Sequence, residues 1–158
     1  VKSTPTIVIN EGLTLVGQVS TEELAGRLME VGKADSLTPI LDSMIQSGRA
    51  DDAAALICRE TQPEALLPLY LSKEFSTRMG ALVVMEEALA LNPRALDPIV
   101  GQLTDILFQD DAPLRGDTAE LLGKMGNPAA IPALRSAAED EDPDVREAAL
   151  EALELLEK

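Results

Sequence analysis

Asp142-Pro143-Asp144-Val145-Arg146-Glu147-Ala148-Ala149-Leu150-Glu151-Ala152-Leu153 decides the fold, because it reads as a capped helix with one buried side. Asp142 suits the N-cap, and Pro143 suits the first helical position, where a missing N–H costs nothing. Val145, Ala149, Leu153 and Leu156 form one stripe, while Glu147, Glu151, Glu154 and Glu157 form the opposite one. A helix of that kind closes the end of an array and keeps its outer face polar.

The same design recurs upstream. Arg49, Arg78, Arg115 and Arg146 head four helices at spacings of 29, 37 and 31. Three and four residues after each stand Asp52/Ala53, Ala81/Leu82, Thr118/Ala119 and Ala149/Leu150, and seven after stand Leu56, Met85, Leu122 and Leu153. A proline followed by aliphatic residues recurs at Pro39, Pro68, Pro98 and Pro132, spaced by 29, 30 and 34. Period-3.6 patterning predicts helices over 35–47, 50–60, 63–72, 75–91, 94–108, 112–125, 129–139 and 142–157, joined by short Pro-, Gly-, Asp- and Asn-bearing turns. That is a mainly α chain: an α-solenoid of four antiparallel helix pairs over residues 34–158. Met79 to Met85 is apolar throughout, so helix 75–91 is expected to be buried on nearly all sides. A cation at a helix start opposes the dipole, so the arginines are expected to pair with acidic loop residues such as Asp110-Asp111 and Asp142-Asp144.

Arg115-Gly-Asp-Thr-Ala-Glu-Leu-Leu-Gly-Lys-Met-Gly-Asn-Pro-Ala-Ala-Ile-Pro-Ala-Leu134, followed by Asp140-Glu-Asp-Pro-Asp-Val-Arg146, resembles HEAT repeats of the short, armadillo-like type found in phycobilin-lyase-related proteins. The resemblance is strongest over 112–158 and weaker over 35–62. It implies protein binding and no lyase activity. Within it, Arg49, Arg78, Arg115 and Arg146 are a structural ladder.

Residues 1–33 read differently. Thr6-Ile7-Val8-Ile9 and Leu13-Thr14-Leu15-Val16 are β-rich runs around a turn ending in Gly12. Ser20 to Glu23 forms a capping box before a short helix carrying Leu24, Leu28 and Val31. This β-β-α unit, opened by Ser3-Thr4-Pro5-Thr6, resembles the C-terminal half of a thioredoxin- or glutaredoxin-like domain. The resemblance implies that Pro5 matches that family's cis proline and Thr4 its substrate-contacting neighbour. No CxxC accompanies them, so the chain is expected to be a fragment of a longer protein, and the hairpin edge is expected to pair with a second copy or with the helices.

Composition narrows the chemistry. Thirteen Lys+Arg against 28 Asp+Glu give a net charge of −15, which excludes phosphate-based nucleic-acid binding and docking on anionic membranes. There is no histidine, hence no histidine-based triad or ligand, and the single cysteine, Cys58, excludes an internal disulfide. Hydrophobic residues reach 46% and aromatic ones only 2%, so the core must be aliphatic. No apolar run reaches about 18 residues, and a soluble, cytoplasmic protein is expected.

Each chemical candidate has a plainer reading. Cys58 is adjacent to Arg59, but neighbours on a helix do not share a face, and a small buried hydrophobe fits better. The run Glu139 to Asp144 lacks the spacing and glycine of a calcium loop and reads as a solvated turn. Asp51-Asp52 and Asp110-Asp111 open helices, where anions are favoured. Arg115 and Asp117 could face a groove, yet Arg115 belongs to the ladder. Gly116, Gly123 and Gly126 read as packing or termination positions. The expectation is a non-catalytic protein-interaction scaffold with no cofactor, no metal and no catalytic residue, binding protein partners on a concave face made by the second helices. The alternative is a part of a thiol-disulfide oxidoreductase, with the repeats recruiting clients.

Overall fold

The computed structural model describes residues 6–9, 13–16 and 34–157. Strands β1 (Thr6–Ile9) and β2 (Leu13–Val16) pair antiparallel, with Ile7 opposite Leu15. The helix expected after them, and both Thr4 and Pro5, lie outside the described residues.

From Ala34 the described chain is helical. The pairs are α1 (Ala34–Gln46) with α2 (Ala50–Glu60), α3 (Leu67–Tyr70) with α4 (Phe75–Leu91), α5 (Val100–Ile106) with α6 (Ala112–Met125), and α7 (Ile131–Ala137) with α8 (Pro143–Leu156). The second helices are long and regular. The first helices of the last three pairs are shorter than the 63–72, 94–108 and 129–139 that periodicity predicts. Each opens with a 3₁₀ turn, over Pro63–Leu66, Asp97–Ile99 and Pro128–Ala130. Pro63, Pro98 and Pro128 stand in the first positions of those turns, and Pro68 and Pro132 in the first turns of α3 and α7. Proline removes a donor and its ring crowds the preceding turn, so the chain tightens before settling into α geometry.

One aliphatic core runs through all four pairs, from Leu41 on α1 to Ala152 on α8. Leu66, Met85, Leu103, Leu122 and Leu134 are fully shielded within it. The small residue placed three after each ladder arginine is buried in the last three pairs: Ala81, Thr118 and Ala149 are each at 0% exposure. In the first pair the register shifts by one, burying Ala53 and leaving Asp52 in solvent. Polar links join successive pairs. Tyr70 and Thr118 share a buried hydroxyl–hydroxyl hydrogen bond of 2.8 Å, and Asn127 Nδ2 donates to Asp97 Oδ1 at 2.8 Å.

Two expectations are corrected. Helix α4 is not buried all round: Val83, Glu87 and Ala90 face solvent, because the core packs on the opposite side, at Ala81, Val84, Met85 and Ala88. The close approach of α6 to α8 is set by Gly123, where a Cβ would lie 2.9 Å from Ala152 Cα and Cβ. Gly116 has open space where its side chain would be, so it serves neither packing nor termination. Gly126 does terminate α6, at φ +65° in the left-handed region.

Candidate functional site

Segments 71–74, 107–111 and 138–142 join the first to the second helix within the last three pairs, and the arginine ladder fastens them edge to edge. Arg78 Nη1 donates to Asp111 Oδ2 of the next pair at 3.0 Å. Arg115 reaches one pair further along. Its Nε and Nη2 donate to the two carboxylate oxygens of Asp140, both at 2.8 Å, and its Nη1 donates to Gln109 O at 2.8 Å. Arg146 Nη1 donates to Asp140 O at 2.7 Å and Glu141 O at 3.0 Å. Arg49 stays in solvent, 3.9 Å from Asp52 on its own helix.

The arginines therefore choose other partners than Asp110-Asp111 for Arg115 and Asp142-Asp144 for Arg146. The reason is local. Asp111 Oδ1 and Asp142 Oδ1 accept backbone N–H groups of their own helices, Leu114 N at 3.1 Å and Asp144 N at 2.9 Å. Those N-cap carboxylates already satisfy orphan donors, and the second oxygen of Asp111 is taken by Arg78. With Asp140 held by Arg115, the acidic run 139–144 is a built turn. Among the described residues no group of three or more Cys, Asp or Glu side chains could hold a metal ion.

The charge effects follow these contacts. The Arg115 guanidinium holds the Asp140 carboxyl below the usual carboxylate range, and Asp140 in turn pushes Arg115 up. Asp117, half-buried on α6, is pushed up by burial, against the nearby positive charge of Arg78. It makes no hydrogen bond of its own. Tyr70 is pushed well above its ordinary value by burial. Cys58 is half-buried, with Sγ 3.6 Å from Ala88 O, and burial pushes its thiol up. That shift disfavours the thiolate, which reactivity requires.

The second helices expose acid. Asp51, Asp52, Glu87, Glu120, Glu147 and Glu151 are in solvent, and the one lysine among them, Lys124, is held by Glu86 across the α4–α6 boundary. Composition counts Phe75 and Phe108 only toward the aromatic share, yet both are exposed, at 67% and 66%, and both sit on the loop edge. Both stand beside acidic, helix-opening turns in the sequence.

Comparison with known proteins agrees on the helical repeats. Residues 100–157 match the family model described as HEAT repeats. A similar solved structure is an engineered protein from the Northeast Structural Genomics Consortium, with a TM-score of 0.53 and 19% identity, over 88% of this chain and 41% of that one. The chain thus spans about two fifths of that protein, and at this identity the likeness is one of fold. No curated protein matches the sequence. Neither finding supports the thioredoxin-like reading of residues 1–32. Among the described residues no helix is long and apolar enough to cross a membrane.

Proposed function

We propose that this chain is a non-catalytic HEAT-like scaffold whose second helices bind basic segments of partner proteins. The observation that carries the reading is the exposed acid on α2, α4, α6 and α8, set on helices whose opposite sides are locked into one core. Rigid helices present such a surface without an ordering cost on binding, and a net charge of −15 steers cationic partners toward it. The local chemistry fits binding better than catalysis: Arg115 and Arg146 spend donors on Asp140 and on backbone carbonyls, and burial raises the Cys58 thiol above its ordinary value. The concave face of the second helices, cytoplasmic residence and dimerisation through the hairpin edge belong to the same proposal. The oxidoreductase alternative rests on the resemblance of residues 1–32 alone.

The test is charge reversal. Glu120→Lys, Glu147→Lys and Glu151→Lys combined should weaken binding to a lysine-rich amphipathic helical peptide by about a hundredfold while the circular dichroism melt stays put. Unchanged binding by the triple variant overturns the reading.

A further inference from the structure

The chain has three aromatic residues, and the structure treats them oppositely. Tyr70 is sealed in the core, while Phe75 and Phe108 are about two-thirds exposed. A fixed ring in water costs hydration without gaining packing, and such rings mark contact surfaces. The two rings share one edge. The Arg78 guanidinium carbon lies 5.7 Å from the Phe75 ring centroid, Arg78 is bonded to Asp111, and Phe108 lies on the turn that leads into Asp111. Beside Phe108 an open depression of about 400 Å³ is bounded by Gln109, Asp110, Arg115, Asp140 and Glu141.

The charge of this edge is one-sided. Arg115 borders the depression, but Asp140 and the Gln109 carbonyl occupy its donors. The carboxylates of Asp110 and Glu141 are exposed and have no ion pair or side-chain hydrogen bond. Lys73, on the α3–α4 turn, is the nearest exposed cation along the edge in sequence, and it sits beside Glu74.

We propose that the loop edge around Phe75 and Phe108 is a docking surface for an extended, arginine-bearing segment of a partner protein. An arginine plane stacks on the exposed Phe108 ring and directs its forked donors at the unpaired Asp110 and Glu141 carboxylates, as charge complementarity requires. A second residue of the segment rests on Phe75. This surface is separate from the acid on the second helices, so either can fail alone.

The experiment uses the full chain and a short fluorescent peptide alternating arginine and glycine, with a second peptide carrying citrulline for arginine. The intact chain should bind the arginine peptide and not the citrulline peptide. Phe75→Ser with Phe108→Ser should weaken binding about tenfold or more with the melting temperature unchanged, and Asp110→Asn with Glu141→Gln, which keeps both rings, about fivefold. Glu120→Gln with Glu147→Gln should weaken it less than Asp110→Asn with Glu141→Gln does. Binding unaffected by the phenylalanine pair, absent from the intact chain, or equal for both peptides overturns the proposal. Loss confined to the Glu120 and Glu147 variant also overturns it and favours the second-helix face instead.

Discussion

Arg115 and Asp140 are joined fork to fork across 25 residues of chain, with Nε and Nη2 each 2.8 Å from a carboxylate oxygen and both side chains nearly shielded from water. Removing one partner strands the other, which costs more than the pair contributes. Arg115→Ala should therefore lower stability by about 3 kcal/mol or more, read from urea midpoints. Arg115→Lys keeps the charge but loses the fork and the reach to Gln109 O, so it should fall between the two. A lysine variant as stable as the parent would show that charge alone matters there.

Two carboxylates should pull the pH dependence of stability in opposite directions. Asp140 titrates below its unfolded value, so its contribution is complete above the ordinary aspartate range of about 4 and drains away as pH falls through its folded value. Asp117 titrates above its unfolded value, so its ionised form is a liability near neutrality that protonation relieves. Asp140→Asn should lower the melting temperature at neutral pH and flatten its fall in acid. Asp117→Asn should raise it at neutral pH, with the gain vanishing below about pH 4. Melts collected across that range distinguish the two signs.

Much of this architecture was legible because the repeat reports on burial directly. Arg146 heads α8, Asp142 caps it with Pro143 in its first turn, and Glu147, Glu151 and Glu154 stay in solvent, as their spacing predicts. Partner choice was less legible. Whether Arg115 takes Asp111 or Asp140 is decided in the folded chain, where Asp111 caps α6 with one oxygen and is bonded to Arg78 through the other. The apolar run Met79 to Met85 misled for a related reason. Hydropathy gives the helix its composition, but the side on which the core packs decides that Val83, Glu87 and Ala90 remain wet. Phe75 and Phe108 escaped notice because a scarce residue type forms no pattern.

Tyr70 is the only tyrosine and the chain has no tryptophan, which makes it a clean optical probe of the join between the second and third pairs. Its hydroxyl meets Thr118 Oγ1, which also donates to Leu114 O at 2.7 Å. Thr118 therefore keeps one partner in Tyr70→Phe, which should cost only about 1 kcal/mol, whereas Tyr70→Ala should cost about 3 to 5 kcal/mol through the cavity it leaves. In the intact protein tyrosinate absorbance should appear only together with alkaline unfolding. Ionisation that precedes the loss of helical circular dichroism would contradict the burial of this ring.

Gly116 and Gly123 lie two turns apart on α6 and should respond to the same substitution with opposite signs. Alanine is favoured over glycine in a helix interior by about 1 kcal/mol, and Gly116 has no atom within 4 Å of where a Cβ would stand. Gly116→Ala should therefore stabilise by about that amount. At Gly123 the same Cβ would lie 2.9 Å from Ala152 Cα and Cβ, inside ordinary contact with the backbone of α8, so the two helices must move apart. Overpacking of that kind costs about 1 to 3 kcal/mol, which exceeds the propensity gain. Gly123→Ala should be destabilising, and Gly123→Ala with Ala152→Gly should recover part of the loss by removing the facing methyl, less the glycine penalty on α8. Chemical denaturation of the three variants measures the sign at each site, and a stabilising Gly123→Ala would mean that α6 and α8 are not locked together at this crossing.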